Sequence, residues 1–340
     1  MKTLLLDRSD VAANAQMDEV IPAVEAAFAA YDRDEVIMPP KSYVELEKYN
    51  GDFRSMPAYM DAGSWDAAVV KWVNVHPDNP SKHQMPTVMG TVIYSNPETA
   101  FPLAILDGTE LTRQRTGAAA AVATDHLAIE EAHTLGIIGA GEQSFAQVEA
   151  IAAVRPIEQI VVHDINDNTL ELFVNRFSDQ FDVTVGSIRD AARCDVLATV
   201  TPVRDPIVHP EDLGSHTHVN AMGADAAGKQ ELATEILQSA KLVIDDYEQC
   251  THSGEINVPW TAGEIDDNSL YGELGAIVTG RQAGRTVDDG VTVFDSTGLA
   301  IQDVAAAHCV YERAQAEGEG TPFDLLELDR DPSTPETAAL

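Results

Sequence analysis

The sequence predicts an α/β protein of two unlike parts, a doubly wound parallel sheet and a β-rich (α+β) domain. Three observations carry that expectation. Between Met38 and Leu106 short β-type segments follow one another across turns, with no helix of useful length between them, whereas from Thr134 onward apolar runs alternate with helix-forming segments. The first of these later runs ends in Gly139-Ala140-Gly141 directly before a helix-forming stretch, which is the order strand, tight turn, helix. The expected division places residues 1–118 and 313–340 in the β-rich domain and residues 119–312 in the parallel one.

Taken in order, residues 18–31 put Val20, Ile21, Val24, Ala27 and Phe28 on one helical face, so an amphipathic helix without a functional role is expected to open the chain. β-type segments then cover residues 42–46, 52–56, 67–75, 88–95 and 101–106, separated by turns such as Asn50-Gly51 and Ser95-Asn96-Pro97. They read as an antiparallel sheet or open barrel. Residues 108–128 form an alanine-rich helix expected to cross into the second domain by close packing.

Leu135, Ile137 and Ile138 begin the second domain; a helix over 142–154 and a strand ending in His163-Asp164 complete a strand-helix-strand crossover. Gly139 permits the turn. Gly141 lets a pyrophosphate approach the backbone at the helix N-terminus, where free N–H groups and the helix dipole favour an anion. Ser144 stands where the third glycine of this pattern is usual and is small enough for helix to pack on strand. Asp164, 25 residues after Gly139, ends the second strand, where a carboxylate accepts ribose hydroxyls and repels a 2′-phosphate; no Arg or Lys lies between His163 and Phe173. A Rossmann domain that binds NAD rather than NADP follows.

The alternation continues with a helix over 168–180, a strand over 182–185, a short helix begun by Ser187, and strands over 195–200, 218–222, 242–245 and 291–294. Ligands of such sheets bind outside the carboxyl ends of the strands, so residues 199–202, 223–225 and 295–298 are expected to share one cleft. Asp225 reads equally as an acid–base carboxylate at its mouth and as a turn residue capping a helix after Gly228. A last helix over 299–316 is expected to pack back toward the first domain, and the polar tail from Asp329 to be disordered.

The 21 basic against 56 acidic residues leave a net charge of −35, spread along the whole chain. Nucleic acid and acidic lipid are repelled by such a surface. We read the charge as the solvation of a salt-loving protein, whose carboxylates tolerate one another once the Debye length shrinks to ~3 Å at 1 M salt. No apolar stretch approaches ~20 residues, so no membrane span is expected. The apolar run at residues 4–6 is too short for a signal peptide, and a soluble cytoplasmic protein is expected. Cys194, Cys250 and Cys309 lack metal or disulfide spacing and read as buried thiols, while His83, His216, His218 and His252 find no third ligand, so no metal is expected.

In so acidic a chain four cations stand out: Lys41, Arg54, Lys71 and Arg115. Lys71 interrupts the strand Ala67-Ala68-Val69-Val70-Lys71-Trp72-Val73. It either points outward from the polar face or is a partly desolvated ammonium able to hold a carboxylate or exchange a proton. Arg54 and Arg115 offer planar forks suited to a carboxylate or phosphate, or are solvated surface groups.

The segments MPPKSYVELEKYNGDFRSMPAYM, VVKWVNVHPDNP, PTVMGTVIYSNPETAFPLAILDGTELTRQRTGAAAA, GIIGAGEQSFAQVEA, VNAMGADAAGKQEL, DDYEQCTHSGEINV and VFDSTGLAIQDVAAA resemble the ornithine cyclodeaminase/mu-crystallin family, over roughly residues 38–312. The resemblance implies a homodimer acting on a small amino acid, with the β-rich domain binding substrate and forming the interface. It implies NAD-dependent oxidative deamination of L-alanine, with cyclisation of L-ornithine to proline or reduction of a cyclic imine as the rival activities. By the same resemblance Lys71 carries the proton, Arg54 and Arg115 hold the substrate carboxylate, Lys41 is a further substrate cation, and Asp225 is the family's acid. The cofactor set it implies is Arg115, Thr116, Gly139, Gly141, Glu142, Gln143, Asp164, Thr201, Gly223, Ala224, Asp225 and Ser296, with Thr116 and Gln143 near the phosphates and Ser296 on the nicotinamide side. Ser144 departs from the small apolar residue many relatives carry there.

Overall fold

The structure is a computed structural model in which residues 1–327 are described; the polar tail from Asp329 lies outside them. Period-two patterning builds the first sheet from β1 (Thr3–Leu6), β2 (Val36–Ile37), β3 (Ser42–Leu46), β4 (Gly51–Asp61), β5 (Asp66–Val75), β6 (Val88–Ser95) and β7 (Pro102–Asp107). The second sheet comprises β8 (Thr134–Ile138), β9 (Gln159–His163), β10 (Asp182–Val185), β11 (Val196–Thr199), β12 (His218–Ala221), β13 (Lys241–Ile244), β14 (Leu270–Glu273) and β15 (Thr292–Asp295), and β16 (Thr321–Phe323) returns to the first.

The first sheet runs β16-β1-β7-β6-β5-β4-β2, with β3 also on β4, and every pair is antiparallel except β1 with β7. It is an open sheet and not a barrel. β4 and β5 are its spine, paired from Asp52 opposite Val75 to Asp61 opposite Asp66. Three helices, Met17–Asp32, Gly108–Leu127 and Ala300–Glu317, cover one face and bury Phe28, Met60, Val69, Val92, Leu111 and Val304 between them and the strands. The N-terminus departs from expectation. β1 and a short helix, Arg8–Asn14, precede the amphipathic helix, and Asp7 and Asp10 close a capping box at that short helix's start.

The second sheet is parallel throughout, in the order β10-β9-β8-β11-β12-β15-β13-β14, of which β14 was not anticipated. The order reverses on either side of β8, so the switch point lies between β8 and β11. The expected boundaries at 118/119 and 312/313 fall inside the Gly108–Leu127 and Ala300–Glu317 helices. Alanine content matters in the first of these: a Cβ on Gly117 would stand 2.4 Å from the Ala146 carbonyl oxygen, so that helix and Glu142–Val154 pack backbone against backbone. Among the described residues no helix is long and apolar enough to cross a membrane.

Candidate active site between the two sheets

β8 delivers the chain to Gly139, whose φ of +98° only glycine adopts without strain, and Gly141 then caps the Glu142–Val154 helix. A Cβ built on Gly141 meets nothing within 4 Å, so the space before the helix's free N–H groups is open. Asp164 follows β9, and its carboxylate braces the turn as well: Oδ2 accepts from Ala140 N at 2.7 Å and Oδ1 from Asn166 N at 2.8 Å. Gln143 carries an amide oxygen that is buried without a partner. Ser144 is fully buried and donates its hydroxyl to the Gly141 carbonyl at 2.6 Å, as a small residue at this packing point should. Glu142 pairs outward with Arg8 at 2.7 Å. Thr116 is buried one helix away, its carbonyl facing the Gln147 amide at 3.4 Å.

The loops after β11, β12 and β15 come together as expected, but two acids not singled out in the sequence tie them. Glu231 accepts from Thr201 N and Oγ1, both at 2.7 Å, with one carboxylate oxygen, and from Thr199 Oγ1 at 2.7 Å and Gly223 N at 3.0 Å with the other. Asp245 accepts the Ser296 hydroxyl at 2.9 Å. Ala224 is buried beside Gly223. An open helix N-terminus, an unpartnered amide and an acid at the second strand's end fit a dinucleotide.

The four cations gather where the β-rich sheet faces this cleft. Alternation along β5 puts Ala67, Val69, Lys71 and Val73 on the core face, so Lys71 does not point outward; it is 1% exposed. Its Nζ lies 2.9 Å and 2.8 Å from the two oxygens of Asp303 and 3.3 Å from the Thr112 hydroxyl. Arg115 is also buried and donates Nε to the same Asp303 at 3.2 Å and Nη1 to the Gln302 amide oxygen at 2.9 Å. Burial pushes the Lys71 ammonium down to about 7, Asp303 resisting the shift and Arg115 and Lys41 adding to it. Lys41 donates to the Thr297 carbonyl at 3.0 Å and is lowered to about 8, again chiefly by burial.

Arg54 and Asp225 bridge the two sheets, Nη1 to Oδ2 at 3.3 Å, while Asp52 holds the other side of the guanidinium and Lys229 sits 2.6 Å from Asp225 Oδ1. Burial works against the Asp225 charge, yet Lys229, Arg54 and Lys41 outweigh it and hold the carboxyl below its usual range. The next helix after Gly228 is Thr234–Ser239, whose N-cap position is Ala233, so Asp225 does not cap it. A cavity of about 360 Å³ opens beside Lys41, walled by Tyr31, Met38, Pro40, Tyr43, Asp246 and His252. Tyr31, from the helix read as having no functional role, donates its hydroxyl to Asp246. His218, by contrast, is buried between Thr292 and Asn220 and pushed down to about 3, a neutral core histidine.

Asp303, like Glu231 and Asp245, is a residue that sequence reasoning missed. A lysine on the apolar face of a strand needs a counter-charge, and an acid beside Ala300, Val304 and Ala307 on an apolar helix face was the available signal.

The family model described as the ornithine cyclodeaminase/mu-crystallin family matches residues 1–318. The chain belongs to the ornithine cyclodeaminase/mu-crystallin family. It is 44% identical over 329 residues to the alanine dehydrogenase of Archaeoglobus fulgidus, covering 96% of this chain and 100% of that one. A solved archaeal alanine dehydrogenase dimer with bound NAD superposes with a TM-score of 0.90 at 44% identity, covering 96% of this chain and 100% of that one. The Thermococcus litoralis Δ1-pyrroline-2-carboxylate reductase, solved with NADH and L-proline, superposes with a TM-score of 0.89 at 37% identity, covering 94% and 99%. This chain is an enzyme of the family.

Proposed function

We propose that this chain is an NAD-dependent alanine dehydrogenase, interconverting L-alanine with pyruvate and ammonia, and that it works as a homodimer in a salt-rich cytoplasm. The observation that carries the reading is the state of Asp225. A cyclodeaminase needs a carboxylate to receive its substrate's second ammonium, and Asp225 already answers Lys229 at 2.6 Å and Arg54 at 3.3 Å. An imine formed beside Asp225 is thus left to water, and a cyclodeaminase would have to use Asp246 or Glu248 on the wall of the cavity beside Lys41 instead. Likeness to the Archaeoglobus enzyme along nearly the whole chain supports the same choice.

Arg54, Arg115 and Lys41 hold the substrate carboxylate, which fixes the α-carbon before the cofactor. NAD, when bound, accepts the hydride from that carbon. Lys71 is the proton carrier, because a lysine lowered to about 7 exchanges protons near neutrality, whereas Asp225 stays ionised. It takes the proton of the substrate ammonium before oxidation and gives it up to solvent, then takes the proton released as water adds to the iminium and returns it to the amino nitrogen, so that ammonia leaves and one proton is released per NADH formed. Asp303 holds Lys71 and Arg115 in place. Thr116, Gln143, the Gly139–Gly141 turn, Asp164, Thr201, Gly223 and Ser296 form the cofactor side, and the Asp164 carboxylate favours NAD over NADP.

A second reading, reduction of a cyclic imine, draws on the cavity beside Lys41, which is roomier than a methyl side chain requires. Purified protein in molar salt at alkaline pH is given NAD with L-alanine or L-ornithine, and in the opposite sense NADH with Δ1-pyrroline-2-carboxylate, while reduced nicotinamide and ammonia are followed. NADH accumulating with alanine upholds the proposal. Ammonia from ornithine without net NADH moves the assignment to a cyclodeaminase, and NADH consumed only with the cyclic imine moves it to a reductase.

A further inference from the structure

Asp245 follows β13, beside β15 in the parallel sheet, and its side chain is fully buried. One oxygen, Oδ2, accepts three donors from a single loop: Ser296 Oγ at 2.9 Å, Thr297 N at 2.8 Å and Gly298 N at 2.9 Å. The other oxygen faces the Cys250 thiol at 3.1 Å. The same loop meets two of the four cations that gather in the cleft. Its Thr297 carbonyl accepts Lys41 Nζ at 3.0 Å, and Gly298, at φ +77°, lies so close to the Arg115 guanidinium that a Cβ would stand 2.3 Å from Nη1. A loop needing only to be packed would not require a fully buried carboxylate, whose desolvation opposes folding. Collecting three donors on one oxygen fixes the loop's direction, and through it the separation of two charges.

We propose that Asp245 is a positioning residue for carboxylate recognition: by clamping residues 296–298 it sets where Lys41 and Arg115 present their charges. The inference rests on the reading that these two cations bind the substrate carboxylate. Of the charged groups that act on Lys41, Asp245 and Asp225 favour its ammonium, while Arg115, Arg54 and Lys71 oppose it. Of these, Asp245 is the one that also anchors the loop Lys41 is bonded to.

The test is Asp245→Asn, which keeps the shape but loses the charge and turns an NH2 group toward loop donors. The KM for L-alanine should rise about tenfold or more, the loss of one charge-assisted bond, with kcat changing less than about threefold. A readout independent of turnover uses acetate as the probe: in the NADH complex, acetate shields Lys41 from an amine-labelling reagent, scored by mass spectrometry. The variant should need about tenfold more acetate for equal protection. Equal protection in both proteins overturns the proposal, as does a parallel loss of kcat, NADH binding and near-ultraviolet circular dichroism, which marks a purely structural role. If the wild type fails to oxidise alanine, the proposed function falls, and acetate protection still decides the role of Asp245.

Discussion

Replacing Asp303 by asparagine removes the one carboxylate that contacts Lys71 among the described residues while keeping the shape of the site. The Lys71 ammonium lies 2.8 Å and 2.9 Å from its two oxygens, with neither side chain more than 1% exposed. At an effective dielectric of about 20, a charge pair at that distance is worth about 6 kcal/mol, and breaking a buried pair typically costs about 3–5 kcal/mol after relaxation. At 1.36 kcal/mol per pKa unit, Lys71 should fall by roughly 2–4 units below its position near 7. The sign is set by charge: without Asp303 the ammonium loses its stabilising neighbour, and burial and Arg115 both continue to favour the neutral amine. Deamination needs that neutral amine, so wild-type kcat/KM for L-alanine should climb with pH through about 7. In Asp303→Asn the climb should move to roughly pH 3–5, leaving a flat profile at neutrality. The plateau should also be lower, since a weaker base takes a proton less readily. The assay is kcat/KM in molar salt from pH 5 to pH 10, with circular dichroism confirming a folded variant. An acid limb that stays near pH 7 would refute Lys71 as the proton carrier tuned by Asp303.

Gly141→Ala should fold with an unchanged melting temperature, because the added Cβ meets nothing, yet weaken NADH binding about tenfold or more by filling the space before the helix N-terminus; unaltered NADH affinity would place the cofactor elsewhere. Asp164→Asn keeps an acceptor for Ala140 N but loses the charge that repels a 2′-phosphate, and should shift the NADPH-to-NADH preference about tenfold toward NADPH. Tighter binding of NADPH than NADH by the wild type would contradict that role. With a net charge of −35, dialysis from molar salt into dilute buffer should abolish the far-ultraviolet circular dichroism, and an unchanged spectrum would dismiss the salt-loving reading.

Local patterning located β3 and β6 to the residue, yet β4 reads as ending at Met56 because Pro57 cannot donate to a ladder. In the folded sheet β3 pairs with β4 only as far as Ser55 and β2 resumes at Tyr59, so Pro57 sits in the gap where no donor is called for and the strand runs on to Asp61. Neither β1 nor β14 alternates buried with exposed residues, and both exist because β7, β16 and β13 supply their partners.

What the sequence alone determined is everything that depends on near neighbours in the chain: the glycine turn between strand and helix, the acid at the end of β9, the alternation of the β-rich sheet, and a surface charge set by composition. The tertiary structure alone decided which acid answers which cation. Lys71 and Asp303 are 232 positions apart, and Asp303 is one of 56 acids. A buried ammonium demands a counter-charge, but the choice among them follows from how the Ala300–Glu317 helix lies across β5, and that geometry is a property of the packed core.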